Sequence, residues 1–105
     1  MSAGRIFYTQ LIFLKAQQDQ AFQQFENLVL PLLEKHRGKL LYRVRPSAED
    51  VVESSIGKPH EIHFIRFESK RDFESYRDDP DRKQHVHLKE KSVEKVVLIE
   101  GVEIR

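Results

Sequence analysis

The apolar positions of this chain switch between a period near two and a period near three and a half, and the switches mark its elements. Arg5 to Leu14 (RIFYTQLIFL) is rich in aromatic and β-branched residues and predicts a first strand. From Ala16 to Arg37 the spacing changes: Phe22, Phe25, Val29, Leu32, Leu33 and His36 fall on one face of a helix. Pro31 interrupts that helix and is expected to kink it, and Gly38 is expected to stop it. Lys39 to Arg45 (KLLYRVR) predicts a second strand, ended by Pro46, and the polar stretch Ser47 to Lys58 a long connection. His60 to Phe67 (HEIHFIRF) returns to alternation and predicts a third strand.

Ser69 and Asp72 then form a capping signature that opens a short helix carrying Phe73 and Tyr76. Asp79-Pro80 repeats the signal, a capping residue before proline, and predicts a further helical segment to about Lys91. The last strand lies within Val93 to Ile104, where Gly101 is expected to break or bulge it. The order β-α-β-β-α-β is the ferredoxin-like, split βαβ arrangement of an α+β domain. Right-handed crossovers put both helices on one face of a four-stranded antiparallel sheet.

Two helices cover only one face of such a sheet, so the other face should be polar. Here both parities are apolar. Phe7, Leu11 and Phe13 oppose Ile6, Tyr8, Ile12 and Leu14; Ile62 and Phe64 oppose Ile65 and Phe67; Val96 and Leu98 oppose Val97 and Ile99. An exposed patch of that kind predicts a homodimer joined through the sheet face.

Composition supports the need for a partner. The 105 residues have room for one domain, residues 1–105, and combine 39% hydrophobic with 33% charged residues. A core drawn from that composition gains from further buried surface. Net charge is only +1, from 18 basic and 17 acidic side chains, which predicts no nucleic-acid and no membrane partner. Cysteine is absent, so thiolate chemistry and disulfides are excluded. With no long apolar run and no signal peptide at its start, the chain is expected in the cytoplasm.

The segment Leu30-Pro31-Leu32-Leu33-Glu34-Lys35-His36-Arg37-Gly38-Lys39-Leu40-Leu41-Tyr42-Arg43 resembles small bacterial proteins of the dimeric α/β-barrel superfamily, relatives of antibiotic-biosynthesis-type monooxygenases. The resemblance extends to Phe67-Glu68-Ser69 and to Val97-Leu98-Ile99-Glu100-Gly101. It implies a ferredoxin-like dimer with a pocket between sheet and helices. The chain differs in carrying Arg37 where that pattern has a first glycine, and it contains no Trp. The Asn-Trp-His set of heme-degrading members is therefore missing.

General acid–base chemistry needs a titratable group held in a cleft. His63 and His85 are the catalytic candidates, with Arg43 to clamp a carboxylate or an enolate oxygen, and Tyr8 and Tyr76 as ligand-binding side chains. No cofactor and no metal are expected. His85 and His87 stand two apart on a helix, and His60 and His63 three apart on a strand, so neither pair is expected to share a face. The run Asp78-Asp79-Pro80-Asp81 is best read as helix capping. No phosphate loop and no nucleophile elbow occur.

RNA-recognition domains share this element order, but here only Phe64-Ile65-Arg66-Phe67 fits their stacking motif. Two readings lead: a small-molecule-binding homodimer, extending to a metal-free enzyme on an organic metabolite, and a non-catalytic dimer whose sheet serves association alone.

Overall fold

A computed structural model describes residues 4–104. The strands are β1 (Ile6–Leu14), β2 (Gly38–Val44), β3 (Glu61–Phe67) and β4 (Val93–Val102). They form one antiparallel sheet in the order β2-β3-β1-β4, the ferredoxin-like α+β topology that the chain pattern predicts. The helices are α1 (Asp19–Val29), α2 (Lys70–Arg77), α3 (Pro80–Lys83) and α4 (Val86–Ser92).

The helical segment between β1 and β2 changes type where the interruption is expected. α1 ends at Val29, and Leu30–His36 continues as a 3-10 helix with Pro31 in its first turn. Proline has no N–H for the α-helical bond and its ring crowds the carbonyl four residues back, so the tighter winding takes over. The stop differs from expectation. Arg37, at φ 58°, is the left-handed cap, and Gly38 is already the first residue of β2. Gly38 is needed because Phe67 lies against it: a Cβ there would stand 2.6 Å from Phe67 Cε1.

Both predicted caps are present. The Ser69 hydroxyl accepts the Asp72 N–H at 3.2 Å, and Asp79 accepts the Asp81 N–H at 2.8 Å before Pro80 opens α3. The segment after Pro80 breaks into two helices at Gln84–His85 rather than running on to Lys91. Gly101 neither breaks nor bulges β4, pairing regularly with Phe7; the irregularity falls between Phe13 and Leu14 of β1 instead.

Register sorts the side chains into two faces. On the helix-covered face four rows run across the sheet. The first joins Gly38, Phe67, Ile6 and Val102; the second Leu40, Ile65, Tyr8 and Glu100; the third Arg43, His63, Gln10 and Leu98; the fourth Glu61, Ile12 and Val96. The first two rows meet Leu33, Phe73 and Tyr76 in the main core. Phe67 contacts the rings of Phe73 and Tyr76 at centroid distances of 5.6 and 5.7 Å. A second cluster, Phe25, Val29 and Leu88, joins α1 to α4.

Among the described residues no helix covers the opposite face along much of its length. Phe7 and Phe64 stack on it at 5.5 Å, and Phe64, Ile99 and Tyr42 are exposed there. Phe7, Phe64 and Ile99, with Gly101 and Ile104, border an apolar groove of about 480 Å³. Among the described residues no helix is long and apolar enough to cross a membrane.

Candidate functional site

The third and fourth rows of the helix-covered face contain two buried polar side chains, Glu61 and His63. Alternation along β3 sends Glu61, His63, Ile65 and Phe67 inward, so two polar residues lie under α1 beside two apolar ones. Glu61 and His63 are each only 1% exposed. Arg43 is opposite His63 in the β2–β3 register and therefore shares its face. Glu26 comes from above: its spacing from Phe22 and Val29 puts it on the buried side of α1, where it is 5% exposed.

Glu61 is the hub. It accepts hydrogen bonds from Arg43 Nε at 2.8 Å and Nη2 at 3.1 Å, and from Arg45 Nε at 2.6 Å. His63 Nε2 lies 2.8 Å from its Oε1. Burial opposes ionisation of Glu61, but the bonds from His63, Arg43 and Arg45 outweigh it and hold its carboxyl far below the usual range. An ionised Glu61 only accepts, so His63 Nε2 carries the hydrogen and donates it. The other ring nitrogen, Nδ1, points towards Glu26 Oε2 at 3.9 Å, too far for a direct hydrogen bond.

Glu26 behaves oppositely to Glu61. Burial pushes its carboxyl pKa up, only partly opposed by the charges of His63 and Arg43. Two carboxylates, one bonded to the imidazole and one 3.9 Å from it, thus sit in environments that drive their proton affinities apart, an arrangement found where one group accepts and another donates protons.

His63 and Glu26 line a small cavity between sheet and helices, about 40 Å³ in volume. Its walls include Phe22, Val29, Ile65 and Val96, and Arg82 and Lys89 also reach it. By the space one water needs, that volume holds roughly three water-sized groups. On the far side of Glu61, a surface recess of about 290 Å³ is lined by Gln23, Arg43, Val44 and Arg45.

The structure brings together only part of the predicted set. His63 and Arg43 meet through Glu61, and Tyr76 lines the His63 cavity while its hydroxyl donates to the Val29 carbonyl at 3.3 Å. Arg43 is not free to clamp a ligand, because its guanidinium fork is taken by Glu61. Tyr8 lies one row away from His63. It is 1% exposed, stacks on Phe73 at 4.1 Å and donates to Glu100 at 2.9 Å. Burial and then Glu100 push its phenol well above the usual range. His85 stands at the residue before α4, where its side chain makes no capping hydrogen bond, and it does not line this cavity.

His60 precedes β3, so strand alternation does not govern it, and its ring packs edge-on against Phe22 of α1 at 5.6 Å. It therefore reaches the same layer as His63, contrary to the expected opposite faces. Among the described residues no three His, Asp or Glu side chains converge as a metal-holding group. The acidic run does act in capping, and Asp79 also accepts from His36 at 2.6 Å and Lys35 at 3.0 Å. The His36 bond, followed by the Asp81 N–H, holds the Asp79 carboxyl down to about 2.

Glu61 and Glu26 were not among the candidates, although the signal for each is present. Glu61 shares the inward parity of His63, and Glu26 falls three before Val29 and four after Phe22 on the helical face. A carboxylate on an apolar stripe is the mark of a group with a specific partner.

No family model and no curated protein matches the chain. Solved structures do. A DABB family protein with a ferredoxin-like fold from Mesorhizobium loti aligns with a TM-score of 0.69 and 21% identity, over 97% of this chain and 99% of that one. A dimeric protein of unknown function and ferredoxin-like fold from Bacteroides fragilis aligns at 0.70 with 11% identity, over 98% and 100%. Hydroxynitrile lyase from Passiflora edulis aligns at 0.74 with 15% identity, over 96% and 94%. At such identities the likeness carries the ferredoxin-like fold alone.

Proposed function

We propose that this chain is a homodimeric small-molecule-binding protein that performs metal-free acid–base chemistry on a small organic substrate, with His63 as the base. The observation that carries this reading is the buried imidazole whose Nε2 is fixed 2.8 Å from Glu61 while Nδ1 lies 3.9 Å from Glu26, the acid with which His63 lines the cavity. A base so held has one tautomer and one direction of attack. When Nδ1 takes a proton from an O–H, or from a C–H beside a carbonyl, the imidazolium formed is stabilised by the ionised Glu61. Arg43 and Arg45 keep Glu61 ionised throughout. Glu26, which burial favours in its protonated form, is the donor to the substrate oxygen. Tyr76 closes the apolar wall.

The lyase neighbour is consistent with acid–base chemistry on this fold, as an analogy only. The exposed apolar sheet face supports the dimer, as does the neighbour described as dimeric. A second reading, association without catalysis, draws on the small volume of the cavity, which lies far below the several hundred Å³ common for ligand sites.

The test is deuterium uptake from solvent into a panel of small enolisable ketones, with cleavage of small cyanohydrins followed in parallel. The wild-type rate should exceed that of His63→Gln by about 10²–10⁴-fold on at least one compound. Equal rates on every compound would leave association as the function. Sedimentation of the same samples should give two chains per particle, and one chain per particle sinks the dimer.

A further inference from the structure

Where the 3-10 helix Leu30–His36 meets β2, a recess of about 650 Å³ opens at the free edge of the sheet. That size is in the range common for small-molecule sites, and Leu30 is the one residue the recess shares with the His63 cavity. Leu30, Pro31, Leu33 and Leu40 give it apolar walls. Three cations, Arg37, Lys39 and Arg66, also line it, against one acid, Glu34.

Each cation carries a cost within the fold. Lys39 of β2 is directly opposite Arg66 of β3, and like charges at facing positions of an antiparallel pair repel. Arg66 Nε is buried and has no hydrogen-bond partner; it stands 3.7 Å from Glu68 Oε2, on a carboxylate shared with Arg5 at 3.4 Å. Arg37 holds a left-handed backbone, φ 58°, where glycine would be unstrained. Its Nη1 is 3.9 Å from Asp72 Oδ2, beyond hydrogen-bond reach, and that oxygen already accepts from the Ser69 hydroxyl at 2.9 Å. Among the described residues Lys39 has no ion pair.

One ligand answers all three costs. An anion between facing cations turns repulsion into attraction, and an acceptor in the recess gives Arg66 Nε its missing bond. Backbone strain is retained where the strained residue serves as a ligand clamp. Cations from three positions can address three oxygens, which a phosphate presents and a carboxylate does not. The excess of positive charge in the lining suits the charge of about −1.5 to −2 that a phosphate monoester carries near pH 7.

We propose that this recess binds an organic phosphate monoester, its phosphate on Arg37, Lys39 and Arg66 and its apolar group against Leu30, Pro31, Leu33 and Leu40. The site is separate from the acid–base reading at His63 and does not depend on it. Phenyl phosphate, inorganic phosphate and phenol are titrated into ¹⁵N-labelled protein at about pH 7.5, above the second phosphate pKa, and at fixed ionic strength. The amides of the 3-10 helix, β2 and β3 report binding.

Phenyl phosphate should bind at least about tenfold more tightly than either fragment, since each fragment keeps only the charge or only the ring. Equal affinity for inorganic phosphate removes the apolar walls from the site, and equal affinity for phenol removes the cations; either overturns the proposal without any variant. So does the absence of shifts at about 10 mM phenyl phosphate, where a site of 1 mM Kd is roughly nine-tenths filled. Arg66→Gln and Lys39→Gln should each weaken phenyl phosphate about three- to tenfold, as loss of a hydrogen bond to a charged group at a partly solvated site. Arg37→Gly should weaken it similarly while the urea midpoint stays level or rises, because the left-handed strain is gone. A lower midpoint with unchanged affinity would make Arg37 structural and overturn its assignment. If Arg66→Gln and Lys39→Gln instead loosen the pairing of two chains in sedimentation while phenyl phosphate causes no shift, the cations belong to an interface between copies and the phosphate site falls.

Discussion

Two rows of the same sheet face, four residues apart along β3, do opposite things with the same alternation. Around Phe67 the row of Gly38 and Ile6 is closed by rings, and the glycine has lost its side chain to make room for one. Around His63 the row of Arg43 and Gln10 lies under the same helical layer but is filled by charge, with a cavity left beside it. Burial is equally complete at Phe67, His63 and Glu61, each 1% exposed. The aromatic row therefore carries stability, while the charged row draws on it: buried ion pairs return at best what their desolvation costs. A domain of this size keeps such a group only at a cost to a modest core.

The largest effect that tests this contrast is at the aromatic end. Phe67→Ala empties a site bounded by Tyr8, Phe73 and Tyr76 and should cost about 3–5 kcal/mol. The urea midpoint should fall sharply with its slope unchanged. A loss under about 1 kcal/mol, in the range of ordinary surface changes, would mean that the aromatic row is not where the fold is held.

The charged end should respond less. Glu61→Gln leaves the forks of Arg43 and Arg45 without an anion, but both arginines reach solvent, so the loss should be about 1–3 kcal/mol. Its signature is coupling: combined with Arg43→Gln, the pair should lose less than the sum of the two single losses, by about 0.5–3 kcal/mol. Strict additivity would dissolve the hub.

How much of this contrast is legible in the chain depends on which interaction decides each residue. Strand parity and the capping signals Ser69–Asp72 and Asp79-Pro80 are local, and both appear as expected. The interruption at Pro31 is local too, and it takes the form of a change from α to 3-10 winding. Gly38 was misread because its reason lies 29 residues on, in the ring of Phe67. The site shows the same division. His63 stands out by residue type, but its orientation comes from Glu61 and its cavity from α1, α3 and α4, which are tertiary facts. Arg43 was assigned to a ligand because the acid that occupies it is on another strand.

The smallest predicted effect has the opposite sign, and it is the one that separates a site from a mere charged core. Burial raises the pKa of Glu26 above its ordinary value of 4.5, so the native state holds that proton more firmly than the unfolded chain. Below the unfolded value both states are protonated and the contribution to stability is fully present. As pH rises the unfolded chain releases its proton first, and the native advantage declines until the raised native pKa has been passed. Glu26→Gln removes this titration. The variant should match the wild type near pH 4 and unfold at a higher urea concentration near pH 7.5, the pH values lying on either side of the carboxylate transition. If the two midpoints differ by the same amount at both pH values, Glu26 does not hold its proton in the fold and cannot be the donor opposite His63. If the variant is more stable at neutral pH yet slower in deuterium uptake, the carboxylate is retained against stability, as expected of a group kept for its chemistry.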